Sequence, residues 1–341
     1  MSAGAVRDAG GRTGAVIALD VGGTSVRGAL VDRSGQFLRQ CRRPSGGVPG
    51  AADPGLGVTA QVAEELLDLA RDTAVHVSAI GAGFPEYVHQ GRLTSSEVLA
   101  WHKQPLEVLA DLAPGLAIGI ESDVRCGALA EFAAIHRGAP GASESDIALP
   151  PDASDPRRYR DRSGASSLYY VSWGTGLSGT LVLDGRCVTG ARGEAIALGE
   201  LPYPTGEQAD GATTLETFAS GAGMAARYCR AIGAPVDGAS ALFDAAAAGD
   251  PEASRIVQSA GRAVGAAIGG IVALLDPGAV IIGGDIGAGP GLRIKGLTAA
   301  YRAATGRRPG APGPIPARLG PRSGLVGAAM VATRAGAGLA N

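Results

Sequence analysis

The chain has 341 residues, more than one ordinary hydrophobic core accommodates, so two domains are expected; 45% of the residues are hydrophobic, ample to fill both. A formal net charge of −2 excludes the basic face that a nucleic-acid surface requires. Lys103 and Lys295 are the only lysines beside 55 glycines, a bias of coding rather than a mark of function.

Residues 1–14 are polar and glycine-rich, without an apolar signal core, and are expected to be disordered. From 15 to 40 the pattern alternates with strand period and predicts three antiparallel strands, turned at Asp32-Arg33-Ser34-Gly35. The first turn carries Asp20-Val21-Gly22-Gly23-Thr24, and the strand after it runs from Val26 to Val31. A loop at 44–57 leads into a helix marked by Val62, Leu66 and Leu69. Val77 to Phe84 reads as a buried strand, followed by Pro85-Glu86. Leu116 to Ile120 reads as another, ending at Glu121-Ser122-Asp123. The next helix places Val124, Leu129, Phe132 and Ile135 on one face. Residues 138–166, rich in Pro, Asp, Ser and Arg without periodicity, read as a solvated insertion or lid loop.

A second glycine hairpin follows, with Leu168 to Val171 and Thr180 to Leu183 flanking Gly174-Thr175-Gly176, and with Asp184-Gly185 as a tight turn. Pro251 to Asp276 predicts a long helix whose Gly261, Gly265, Gly269 and Gly270 permit close helix packing. Val280 to Ile282 is the last predicted strand and enters Gly283-Gly284-Asp285; a helix from Gly324 to Ala335 closes the chain.

Strand, hairpin, helix, strand and helix thus occur once in each half, an internal duplication of an α/β lobe. The smaller lobe is expected at 15–122, with the C-terminal helix (324–341) packing back on it, and the larger at 123–323. Glycines let a backbone approach a polyanion closely, and the N–H groups of such turns cradle phosphate. Two such loops predict a nucleotide held in a cleft between two similar lobes.

The four cysteines stand far apart and no C-x-x-C occurs, so neither a zinc knuckle nor a disulfide scaffold is expected. Isolated thiols fit a reducing cytoplasm. The longest apolar stretch, Ala263 to Leu275, reads as too short and too glycine-interrupted to span a bilayer. A cytoplasmic protein without membrane or nucleic-acid partners is the expectation.

These motifs together resemble the ROK family (repressors, uncharacterised frames and kinases) of the actin/hexokinase-like ATPases. Asp20-Val21-Gly22-Gly23-Thr24 resembles the first phosphate loop, Gly174-Thr175-Gly176 the second, and Gly283-Gly284 the adenosine loop. Leu99-Ala100-Trp101 is similar to the family's Leu-Gly-Trp segment near the sugar. Leu215-Glu216-Thr217-Phe218-Ala219-Ser220-Gly221 and Gly324-Leu325-Val326-Gly327-Ala328-Ala329 resemble two further blocks. The resemblance implies two actin-like (ribonuclease H-like) lobes, ATP as donor, Mg²⁺ met by Asp20 through water, and a homodimer.

The resemblance further implies that Asp123 is the general base, Ser122 standing in place of the family's Asn. Asp123 is also a natural helix N-cap, and a helix N-terminus favours the carboxylate, so the group is expected to stay ionised. Glu200 and Glu216 match two glutamates that bond sugar hydroxyls. Tyr203 stands where the family has His, and Gly206 to Thr214 replaces its zinc-binding cysteine cluster, so no zinc site is expected. Glu86 takes the place of a Gly. A pocket altered at Ser122 and Tyr203 disfavours plain glucose.

The expected activity is ATP-dependent phosphorylation of a primary hydroxyl of a hexose, an N-acetylhexosamine or a C7-cyclitol. Polyphosphate as donor stays open. So does a catalytically inactive sugar-binding sensor of the same fold. Residues 1–14 are too few for the winged helix of the family's repressor branch, which is therefore not expected.

Overall fold

The structure, a computed structural model, describes residues 14–46, 54–136, 165–204, 213–287 and 290–339. The expected disordered start, nearly all of the expected insertion and most of the segment replacing the cysteine cluster lie outside the described residues. The described chain divides into two compact units. Unit 1 takes the residues up to 136, Asp184–Ile196 and the residues from Arg322; unit 2 takes Ala165–Leu183 and Ala197–Pro321.

Unit 1 is built on β1 (Gly14–Val21), β2 (Ser25–Asp32), β3 (Phe37–Pro44), β4 (His76–Phe84) and β5 (Ala117–Ser122), in the order β3–β2–β1–β4–β5. The first three strands are antiparallel, while β4 and β5 run parallel to β1. Asp32 shapes the β2–β3 turn: its Oδ1 accepts from the N–H groups of Ser34 and Gln36, both at 2.9 Å, and Gly35 supplies φ 79°. Helix α1 (Pro54–Asp72) lays Val62, Leu66 and Ala70 into the core formed by Ile17, Leu19 and Leu30. Helix α2 (Pro105–Leu112) adds Leu109 to the same core.

Helix α3 (Asp123–His136) is buried on every side from Val124 to Glu131, where the sequence pattern predicts one apolar face. The C-terminal helix, Ser323–Gly336, covers it. At Gly327 the two backbones are so close that a Cβ would collide with the Cys126 carbonyl. This packing moves the division of the chain: α3 belongs with unit 1, not with the larger lobe expected from residue 123 onward.

Unit 2 repeats the plan with β6 (Ser167–Trp173), β7 (Leu177–Leu183), β8 (Ala279–Gly283) and β9 (Pro314–Pro316) in the order β7–β6–β8–β9. Strands β6 and β7 form the antiparallel hairpin, β8 lies parallel to β6, and β9 lies parallel to β8. Strand β9 escapes the sequence reading because proline stands at both its ends; it survives at the sheet edge, where a missing N–H costs least.

Helices α4 (Leu215–Ala219), α5 (Gly221–Ile232), α6 (Gly238–Ala247), α7 (Pro251–Leu275), α8 (Gly284–Gly287) and α9 (Leu292–Thr305) complete unit 2. Asp250 caps α7 by accepting from the Ala253 N–H at 2.7 Å. Gly261 and Gly265 meet the backbone of α9 at Arg293 and Leu297, whereas Gly270 faces open space. Starting at Pro251, α7 is long and apolar enough to cross a membrane by length and composition, against the expectation from its glycine-rich half. Here Ile256, Val257, Val264, Ile268 and Val272 form the centre of the unit 2 core.

Candidate functional site

The β1–β2 hairpin ends β1 on Asp20 and Val21, and its register places Asp20 opposite Arg27. The Gly22 N–H closes the turn on the Ser25 carbonyl at 3.0 Å. The next two N–H groups, of Gly23 and Thr24, take no partner among the described residues, and both residues are exposed. The Gly174 loop of unit 2 follows the same plan. Its Gly174 N–H closes on the Gly176 carbonyl at 3.0 Å, leaving the N–H groups of Thr175 and Gly176 open among the described residues. Each loop therefore offers a pair of adjacent amides suited to an anion.

In unit 2 the carbonyls of this loop are held from behind. The first amides of α5, Gly221 and Ala222, donate to the Gly174 and Thr175 carbonyls at 2.9 and 3.1 Å. Trp173 Nε1 donates to the Ala219 carbonyl at 2.8 Å and fixes the α4–α5 elbow. Gly284 begins α8 at φ 77°, and a Cβ there would run into the backbone of Trp173. The loops 174–176 and 283–284 thus come together within this unit.

Glu200 and Glu216 are also neighbours in unit 2. The short pair Pro202–Tyr203 and Thr213–Thr214, with the Leu215 N–H on the Leu201 carbonyl at 2.8 Å, brings their segments side by side. Both residues are exposed. Glu216 Oε2 accepts from the Leu177 N–H at 2.6 Å, so one of its oxygens braces the end of the Gly174 loop. Tyr203 is half-buried against Phe218, with ring centroids 4.4 Å apart, and the Arg227 guanidinium lies 3.8 Å from the Phe218 centroid.

In unit 1 the end of β5 carries Ser122 and Asp123. Ser122 is fully buried, and its hydroxyl accepts from Arg125 Nε at 3.1 Å. Arg125 is itself buried, bonded to the Val88 and Gly193 carbonyls at 2.7 and 3.0 Å and paired with Glu121 at 3.2 Å. The Ser122 hydroxyl thus accepts from this arginine and keeps its own proton to donate.

Asp123 does begin α3, and its Oδ1 accepts from the Val124 N–H at 2.6 Å. The helix terminus does not decide its ionisation. Burial first, then the Asp20 carboxylate, push the Asp123 carboxyl up to about 7, outweighing the Val124 bond and Arg27. A carboxyl poised near 7 is matched to accept a proton at neutral pH.

Asp20 is buried, and Arg27 Nη2 lies 2.5 Å from its Oδ2. A Cβ on Gly324 would stand 2.6 Å from the same oxygen, so the carboxylate lies at the first turn of the C-terminal helix. Its oxygen donors suit a hard cation such as Mg²⁺, which takes one or two carboxylates and otherwise keeps water and phosphate. Among the described residues no group of three or more His, Cys, Asp or Glu forms a fuller metal site.

Sequence reasoning missed Arg27 and undervalued Glu86. Arg27 was legible from the hairpin register, which sets it across from Asp20. Glu86 is buried and accepts four hydrogen bonds from residues 95–99.

A β1–β2 phosphate-loop hairpin, its echo in a second ribonuclease H-like unit, and an acidic residue at the β5–α3 junction define the actin-like ATPase class. The chain belongs to the ROK family, which matches residues 16–139 and 157–335. It is 34% identical over 177 residues to the bifunctional enzyme NanE/NanK of Brucella suis, covering 50% of this chain and 32% of that protein. The glucokinase of Streptomyces coelicolor is 24% identical over 344 residues, covering 94% of this chain and 98% of that one. The crystal structure of the ROK hexokinase from Thermus thermophilus superposes with a TM-score of 0.70 at 29% identity, over 93% of this chain and 97% of that one.

Proposed function

We propose that the chain is an ATP-dependent kinase that phosphorylates a primary hydroxyl of a sugar or sugar-like polyol, with Asp123 as general base. The observation that carries this reading is the repeated hairpin, each copy leaving two adjacent loop amides open, together with Asp123 at the start of α3. The Streptomyces glucokinase and the Thermus hexokinase, both named for sugar phosphorylation, support it.

In this mechanism the open amides of Thr175 and Gly176 meet phosphate of ATP and residues 283–284 meet adenosine within unit 2, while the open amides of Gly23 and Thr24 offer phosphate contacts of the same kind in unit 1. Asp20 would hold Mg²⁺ through water, and the bound ion would neutralise charge on the transferring phosphoryl group. Asp123 accepts the proton of the acceptor hydroxyl as that oxygen attacks the γ-phosphorus and ADP leaves. Glu200 and Glu216 bond acceptor hydroxyls, Glu216 through the oxygen that Leu177 does not use. The reading includes a homodimer, as the family resemblance implies, and a cytoplasmic location, as the isolated thiols suggest.

The acceptor pocket favours a specialised polyol over plain glucose. Ser122 replaces the family's Asn and Tyr203 its His, so two contacts that read a glucose hydroxyl pattern are changed. A C7-cyclitol, which lacks a ring oxygen and an anomeric centre, fits that loss, with N-acetylhexosamines next.

The test is ADP release with Mg²⁺-ATP across hexoses, N-acetylhexosamines and C7-cyclitols. Turnover of one class supports the kinase and names its acceptor; a higher kcat/KM for glucose than for any cyclitol overturns the cyclitol preference. Thermal stabilisation by an acceptor without ADP formation from any of them supports the sugar-binding sensor instead.

A further inference from the structure

Glu86 lies two residues beyond β4, with only 3% of its surface exposed. Its two carboxylate oxygens take four donors. Oε2 accepts from Ser95 Oγ at 2.5 Å and from the Glu97 N–H at 2.9 Å. Oε1 accepts from the N–H groups of Val98 and Leu99 at 2.8 and 2.7 Å. Three successive backbone amides converging on one point form an anion-binding nest. In this chain the anion is its own side chain.

The anchoring extends along the segment. Ser95 Oγ accepts from the Tyr87 N–H at 2.9 Å, and Trp101 Nε1 donates to the Ser95 carbonyl at 2.8 Å. Gln104 bonds both the N–H and the carbonyl of Leu93, at 2.9 and 3.1 Å. Val98, half exposed at 50%, reaches the phosphate-loop hairpin: a Cβ on Gly23 would stand 2.9 Å from its Cγ1. The negative charge of Glu86 is also felt by Asp123, whose carboxyl it helps to raise.

We propose that Glu86 is a positioning residue for phosphoryl transfer: by filling the nest of amides 97–99 it fixes Ser95–Trp101 as a wall against the Gly22–Gly23 turn. A residue without a carboxylate here leaves the nest open to an external anion and frees the wall to move. The wall's part in seating ATP rests on the kinase reading above; the filled nest does not.

The test uses the full chain with Glu86→Gly and Ser95→Ala, each with and without sodium acetate, which offers a carboxylate to the emptied nest. Amide hydrogen exchange at 97–99 reads the nest, and KM for acceptor against KM for ATP reads the wall. In Glu86→Gly, exchange is expected to quicken about tenfold or more, and ATP KM to rise about tenfold, because the wall packs on the Gly22–Gly23 turn, with acceptor KM changed less. Acetate should reverse both effects. Ser95→Ala, losing one donor of four, should quicken exchange by a smaller factor.

Unchanged exchange in Glu86→Gly overturns the proposal. So does a parallel rise of both KM values that acetate does not reverse, because that marks general loosening. If the wild-type chain turns over no acceptor, the kinase reading fails, and exchange with acetate reversal still decides whether Glu86 fills the nest.

Discussion

Arg27 Nη2 sits 2.5 Å from Asp20 Oδ2, across the paired strands of the first hairpin, and both charges act on Asp123. Asp20 raises the Asp123 carboxyl and Arg27 lowers it, burial being the largest cause of the net shift to about 7. The proposed proton acceptor is thus tuned by the same pair that sits on the first hairpin. Because the base must be ionised, kcat/KM should climb with pH through about 7 and level off above it. Arg27→Gln removes the lowering charge, so the climb should move to higher pH. A pH–rate profile of both proteins checks the direction.

Asp123→Asn should lower kcat by about 10²–10⁴-fold, the usual contribution of a placed base. Stability should move the other way. The folded state holds the Asp123 proton up to about 7, against an ordinary value of 3.8. Folding is therefore favoured by this group below 3.8, progressively less between 3.8 and 7, and not above, where a charge must be kept in a buried site. Asn carries no such charge, so Tm should rise on substitution at pH 8 and rise less at pH 5.

Glu216→Ala should weaken ATP as well as acceptor. The carboxylate bond to the Leu177 N–H, at 2.6 Å, braces the Gly174 loop from within unit 2. Hydrogen bonds to charged groups contribute about 1.5–3 kcal/mol, so affinity for a non-hydrolysable ATP analogue should fall about 10-fold or more. Titration calorimetry measures it without turnover. A change confined to acceptor KM would reduce Glu216 to a sugar ligand.

Much of this was legible in the sequence because hairpins and phosphate loops are local. Residues 20–24 and 174–176 carry their turn chemistry within a few positions, and the apolar runs beside them announce the strands. What stayed hidden depends on contacts distant in sequence. The Glu86 nest needs the fold-back of residues 95–99, and the use of Ser122 by Arg125 needs the Val88 and Gly193 carbonyls. The upward push on Asp123 was hidden because a helix terminus is visible in sequence, whereas burial and a carboxylate from another strand are not. Strand β9 was missed because its prolines argue against a strand anywhere but at an edge.

Gly284→Ala should destabilise unit 2 by about 1–3 kcal/mol. The position holds φ 77°, and the added Cβ would meet the Trp173 backbone. Thermal or denaturant unfolding reports the loss. The same substitution at Gly270, which faces open space in α7, should leave stability unchanged or raise it slightly, by helix propensity.

The most direct measurement compares wild type and Asp123→Asn at pH 8 with Mg²⁺-ATP and the preferred acceptor, following ADP release while the affinity for a non-hydrolysable ATP analogue is measured separately. The account predicts that nucleotide affinity is retained and that turnover falls by about 10²-fold or more. Turnover within about threefold of wild type, at unchanged nucleotide affinity, would contradict Asp123 as the base.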